Sequence, residues 1–168
     1  MNDSTDSLEP LIAALREELQ QYGEMLALLD RQQEQVKARS AGEIFQSISL
    51  IQAQAAAIQG ARQHREQCRG AAALACHQPE NTPFSHLIPL LPPDYRPLLL
   101  ALVDENNELL GRVRQRARQN HVLLRRSVEL MQELLRTLFP ARQTSLYNGN
   151  GHKRGQLLNP RPLYNAVG

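Results

Sequence analysis

The sequence predicts an all-α protein: a long antiparallel coiled-coil bundle of three main helices plus a short helical segment, followed by a mobile C-terminal tail. Three observations predict it. Apolar residues recur three or four apart through three long stretches, which keeps them on one side of an α-helix. Hydrophobic residues make up 42% of the chain but aromatic ones only 4%, with no tryptophan, so the core must be aliphatic and alanine-rich. Six of the ten prolines lie between residues 77 and 97, outside the periodic stretches. At 168 residues, one helical bundle over 1–140 and a tail over 141–168 is the expected organisation.

The first helix is expected over about 8–39, with Ser7 as a candidate N-cap and Pro10 tolerated in the first turn. Ile12, Leu15, Leu19, Tyr22, Leu26, Leu29, Gln33 and Val36 form a heptad seam, so a left-handed supercoil is expected. Gln33 marks its loosest point. Ser40-Ala41-Gly42-Glu43 has the capping-box pattern and predicts a short turn into an antiparallel second helix over about 41–76. The second seam is Ile44, Ile48, Ile51, Ala55 and Ile58, weaker through Arg62, Arg65 and Cys68. Gly70 is expected to break or weaken it.

The proline-rich connection 77–97 excludes a long helix. Within it Phe84–Leu91 has room for one or two helical turns after Thr82-Pro83 and is apolar enough to pack over the end of the bundle. The third main helix, about 94–139, is the longest. Its seam is Leu99, Leu102, Asn106, Leu109, Val113, Ala117, Asn120, Leu124, Val128, Met131, Leu135 and Leu138, and Pro140 ends it. The tail carries four basic residues and no acidic one, with apolar pairs such as Leu146-Tyr147.

Composition and motifs exclude several classes. The net charge of +2 does not by itself point to nucleic acid. The opening MNDSTDSLEP lacks a basic segment followed by an apolar one, and no run approaches the roughly 18 apolar residues of a membrane span. Two cysteines suit a reducing compartment. A cytoplasmic protein without membrane insertion is expected. His64, Cys68, Cys76 and His77 fit no metal-binding spacing. Asp104, Glu105 and Glu108 have no histidine partner at the spacing of a di-metal bundle, and Glu108 is placed to pair with Arg112. No phosphate loop or nucleophile motif is present. No metal, cofactor or catalytic residue is therefore expected, and the protein is read as a non-enzyme.

Arg112, Arg114, Arg116, Arg118, Arg125 and Arg126 make a basic segment. Residues two apart step about 200° round a helix, so the segment splits over two faces, and no aromatics interleave it for base stacking. Against it stands the acidic first helix, with Glu17, Glu18, Glu24, Asp30 and Glu34. The strongest signal is partner binding. Beside the seam residues Leu124, Val128, Met131, Leu135 and Leu138 runs a second stripe, Leu123, Leu130 and Leu134. A surface helix buries one face, so this stripe is expected to be half exposed and to receive an amphipathic helix. The competing expectations are that Phe84–Leu91 or a second copy of the chain covers it.

The third helix and tail resemble the FlgN family of flagellar export chaperones. The resemblance is carried by Gln119-Asn120, Leu123-Leu124, Ser127, Met131, Leu134-Leu135 and Leu138, then Tyr147 and Gly151 in SLYNGNG, with LLDRQQEQV upstream. The proline-rich 77–97 stretch and the RxRxRxR run depart from it. The resemblance implies a cytosolic protein that binds hook–filament junction proteins (FlgK and FlgL) and prevents their premature assembly. It further implies delivery to the flagellar export apparatus. Carried onto this chain, the partner-binding residues would be Leu123, Val128, Leu130, Met131, Leu134 and Leu138, with Tyr147 available to the export gate. Two alternatives stay open on the residues: a coiled-coil adaptor that homodimerises, and a helical nucleic-acid binder using Arg112–Arg126.

Overall fold

The computed structural model describes residues 8–138. Its helices are α1 (Leu8–Ala38), α2 (Ala41–Ala75), the single turn α3 (Phe84–Leu87) and α4 (Arg96–Leu138), with 3₁₀ turns at Ile88–Leu90 and Pro93–Tyr95. No strand occurs among the described residues. The chain divides into two units, Met1–Met131 and Gln132–Gly168. Of the second, the described part is helical, Gln132 to Leu138. Ser7 and the tail from residue 139, including Tyr147, lie outside the described residues.

In the first unit, α1 and α2 form an antiparallel hairpin. Gln32 Nε2 donates to Ser47 Oγ at 3.2 Å, Gln54 Nε2 to Gln21 O at 3.0 Å, and Arg65 Nε to Glu18 Oε2 at 2.7 Å. Both long helices stop on a left-handed residue that is not glycine, Arg39 (φ 57°) and His77 (φ 55°). Each stop is held by two backbone bonds: Ser40 N to Gln35 O and Arg39 N to Val36 O, then Gln78 N to Ala73 O and His77 N to Leu74 O. These satisfy carbonyls that the helix ends would otherwise leave unpaired. They also explain why the expected capping box does not form. The N–H of Ser40 is spent on Gln35, and its side chain makes no cap bond.

The seams differ from the expected ones by half a heptad. On α1 the main buried line is Leu8, Leu11, Leu15, Glu18, Tyr22, Met25, Leu29, Gln32 and Val36, with Ile12, Ala14 and Gln35 buried beside it. Ile12, Leu15, Tyr22, Leu29 and Val36 were expected to be buried; Leu19, Leu26 and Gln33 are only half-buried. On α2 the line runs through Ser47, Ile58, Ala61 and Ala72, while Ile48 and Ala55 are exposed and Arg62 is half-buried. The shift follows from polar contacts. Glu18 is drawn inward by Arg65, and Gln32 by Ser47 and Asn120. α2 runs unbroken through Gly70, whose missing Cβ leaves room for Glu80: an added Cβ would stand 2.6 Å from Glu80 Cγ.

Two apolar clusters fill the first unit. One joins Leu8, Leu11, Ile12 and Leu15 to Ala72, Ala73, Leu99 and Leu102, closed over by Leu87, Ile88 and Leu91. The proline-rich segment thus caps the end where α1 begins. Each of its three buried aliphatic side chains contributes about 1.5–3 kcal/mol as an upper bound. Pro83, expected in the first turn, instead precedes α3 in extended conformation (φ −70°, ψ 156°). The second cluster holds Tyr22, Met25, Leu29 and Ile58, with Ile51, Leu109, Leu110 and Val113 packed against it.

Candidate functional site: an apolar helix face with no partner helix

α4 lies parallel to α1 and is set in register by two asparagines. Asn106 Nδ2 donates to Leu15 O at 3.0 Å, and Asn120 Nδ2 to Leu29 O at 2.7 Å, each across 91 residues. Buried polar side chains of this kind fix register at some cost in stability. At the same offset Ala38, where α1 ends, stands level with Glu129. Asn120 is the last buried residue of α4. The heptad seam does not stop with it.

Of the expected partner-binding residues in the first unit, Leu123 and its seam neighbour Leu124 are half-buried. Val128, Leu130 and Met131 are 55%, 56% and 57% exposed. In the second unit Leu134, Leu135 and Leu138 are likewise exposed. The distinction between a buried seam and an exposed second stripe does not hold here, because both are bare. The Phe84–Leu91 segment does not cover them, being buried in the cluster around Leu8 and Leu99.

The sequence reading missed Phe45, Ile48 and Leu50 on α2, which are exposed as well. Ile48 was placed in the seam, and Phe45 was not singled out. The available signal was Phe45 beside seam residue Ile44, a large aromatic in a chain with few.

The charged residues serve mainly the bundle. Arg116 Nε pairs with Asp30 at 2.7 Å and its Nη1 donates to Gln33, while Arg125 pairs with Glu129. Arg112, Arg114, Arg118 and Arg126 are exposed and do not align on one strip. The expected Glu108–Arg112 pair is not among the ion pairs of the described residues. Acidic α1 meets α2 more than α4: Glu17 pairs with His64, and Glu18 with Arg65 and Arg62. Tyr22 Oη donates to Glu18 Oε1 at 2.7 Å. Burial, then the bond to Glu18 and its charge, push the Tyr22 phenol up to about 12. A cavity of about 290 Å³ opens beside this cluster, lined by Leu15, Phe84, Val103 and Asn106 among others. Its charged groups are already bonded to one another. Cys68 and Cys76 are free, and burial with the nearby Glu17 charge raises the Cys68 thiol. Among the described residues no group of three His, Cys, Asp or Glu is placed to hold a metal.

The described residues thus form a helical bundle whose longest helix leaves apolar seam residues such as Val128 and Met131 exposed. None of the described helices is long and apolar enough to cross a membrane. The model of the FlgN protein family matches residues 1–155, and the chain belongs to this family of flagellar export chaperones. No curated protein and no solved structure matches the chain significantly.

Proposed function

We propose that the chain acts in the cytoplasm as the export chaperone of hook–filament junction proteins of the FlgK and FlgL kind. It would bind a terminal segment of the client on the bare face of α4 and so prevent premature assembly. The observation that supports this reading is the seam itself. Val128 and Met131 keep the heptad spacing that buries Leu99, Leu102 and Asn106, yet both are more than half exposed. An amphipathic client helix supplies the missing apolar face and continues along α4 the track that α1 leaves. The reaction is binding alone, with no cofactor and no catalytic group. Tyr147 is the residue proposed to meet the export apparatus.

The test is co-elution of the full chain with a junction protein's terminal segments at about 50 and about 500 mM salt, with mass measured across the peak. Burial of leucines predicts a complex that survives both, whereas contacts to phosphate would collapse with salt. Leu130→Asp should abolish the complex and leave helicity intact, since Leu130 touches solvent over more than half its surface. The same bare face favours one rival, a second copy of this chain. A dimer at twice the chain mass, together with no complex at either salt, would put the adaptor reading first.

A further inference from the structure

The bundle is turned inside out at the end where α1 meets α2. Beyond Leu29 the buried residues of α1 are Gln32, Gln35 and Val36, and before Ile58 the only buried residue of α2 is Ser47. Beyond Asn106 the only one of α4 is Asn120. The interior at this level is therefore almost wholly polar. Gln32 links Ser47 to Asn120, so the three helices meet in one layer. Two buried acceptors nearby, Gln35 Oε1 and Asn120 Oδ1, have no hydrogen-bond partner. Several large apolar residues of the same level are exposed, Phe45 at 73%, Ile48 at 37% and Leu50 on α2, and Val122 on α4, while Ile44, Leu123 and Leu124 are half-buried. From Ala41 to Ala61 the only charged residue is Glu43, so the exposed polar residues beside Phe45 and Ile48, such as Gln46, Ser49 and Gln52, are uncharged. Exposed apolar patches of this kind mark contact sites.

We propose that Phe45 and Ile48 form a second anchor for the client, so that the bound segment grips α2 as well as α4 at this end of the bundle. The inference rests on the client reading above and extends its surface to a helix outside it. The occupant is an amphipathic segment of an export client, because the chain belongs to a chaperone family. Ser47 belongs to the last buried layer of the α1–α4 seam, and Phe45 and Ile48, two residues and one residue from it, stand at that level on other faces of α2. The polar interior suits this role. A dry core there would draw Phe45 and Ile48 inward and leave α2 no apolar surface to offer.

The experiment compares Phe45→Ser and Leu130→Asp with the parent chain, titrating a labelled terminal segment of a junction protein. A benzophenone amino acid at position 45 reports contact directly. The expected result is at least a tenfold loss of affinity for Phe45→Ser at unchanged helicity, and a cross-link from position 45 to the client segment. Parent-like affinity of Phe45→Ser while Leu130→Asp fails to bind would overturn the second anchor and leave the α4 reading standing. Failure of the parent itself to bind would remove both. If Phe45→Ser lowers helicity, the cross-link decides: a client adduct supports the anchor, and an adduct between two copies of the chain, or none, overturns it.

Discussion

Replacing Glu18 is the sharpest perturbation of the bundle's interior. Its side chain is 5% exposed and faces Arg65, 15% exposed, at 2.7 Å, with Arg62 at 3.6 Å and the Tyr22 hydroxyl at 2.7 Å. Glu18→Ala removes the anion and leaves two groups behind. Breaking a buried pair by removing one partner costs about 3–5 kcal/mol. Glu66 also pairs with Arg65, which places the charge cost near the lower end. The Tyr22 hydroxyl loses its acceptor, at about 1–3 kcal/mol. Because the two effects share one site they do not add fully, and a total of about 3–5 kcal/mol is expected. Glu18→Gln keeps an acceptor for Tyr22 and loses only the charge, so about 1–3 kcal/mol is expected.

The assay is urea unfolding followed by helical circular dichroism, read as a fall in midpoint at constant slope. A double replacement, Glu18→Leu with Arg65→Met, separates burial from pairing. It should recover most of the loss, since apolar residues of similar volume often replace a buried ion pair at no cost. A loss below about 1 kcal/mol for Glu18→Ala would refute the reasoning, because it would mean that water reaches the pair and the shifted seam is not enforced by charge.

Three further outcomes are expected. Tyr22 holds its proton up to about pH 12 in the folded chain but only to about 10 when unfolded. The unfolded chain therefore binds fewer protons between these values, and stability, complete below pH 10, should fall as pH rises through that window by an order of 2–3 kcal/mol. Tyr22→Phe should flatten that part of the profile, and unfolding midpoints at pH 9 and 11 test it. Arg39→Gly and His77→Gly, at the two left-handed helix stops, should each raise stability by about 1 kcal/mol; a loss in either would mean that the side chain itself holds the turn. Asn120→Leu should leave stability within about 1.5 kcal/mol of the parent, because the Leu29 carbonyl keeps its helical bond, and removal of the unpaired Asn120 Oδ1 offsets the loss of a donor at Gln32 Oε1. Hydrogen exchange in α1 beyond Leu29 should slow in that variant, and unchanged or faster exchange there would count against a polar layer that loosens this end.

Much of the fold was legible because it depends on patterns that survive without knowing the neighbours. The spacing of Leu99, Leu102, Asn106, Leu109 and Val113 marks one face of α4 whatever it meets. The prolines between 77 and 97 rule out a long helix on covalent grounds, and the apolar content of Phe84–Leu91 gave it a reason to seek the core. The buried face of α1 and α2 was harder. On α1 the two half-heptad choices share four positions, Leu15, Tyr22, Leu29 and Val36, and on α2 the expected seam and the buried residues share Ile58. What separates them is whether Glu18 and Gln32, or Leu19 and Gln33, turn inward. Hydrophobicity favours Leu19. The structure takes Glu18 because Arg65, forty-seven positions away, and Tyr22 satisfy it, and a one-dimensional pattern does not contain that pairing. The helix stops were illegible for a related reason: a left-handed arginine or histidine has no sequence mark, unlike glycine.

The candidate site follows the same division. Leu123, Leu130 and Leu134 announce themselves as apolar positions in excess of what one buried face needs. That the seam residue Met131 is bare follows from where α1 stops relative to α4, which Asn106 and Asn120 decide through carbonyls ninety-one positions away. Periodicity could not reveal Phe45 and Ile48 as surface residues, since it assigned Ile48 to the core. They face outward because Gln32, Ser47 and Asn120 satisfy one another inside. A polar triad in the interior and an apolar pair on the surface are thus one arrangement seen from two sides, and a substitution that makes the interior apolar should withdraw the surface that the client is proposed to grip.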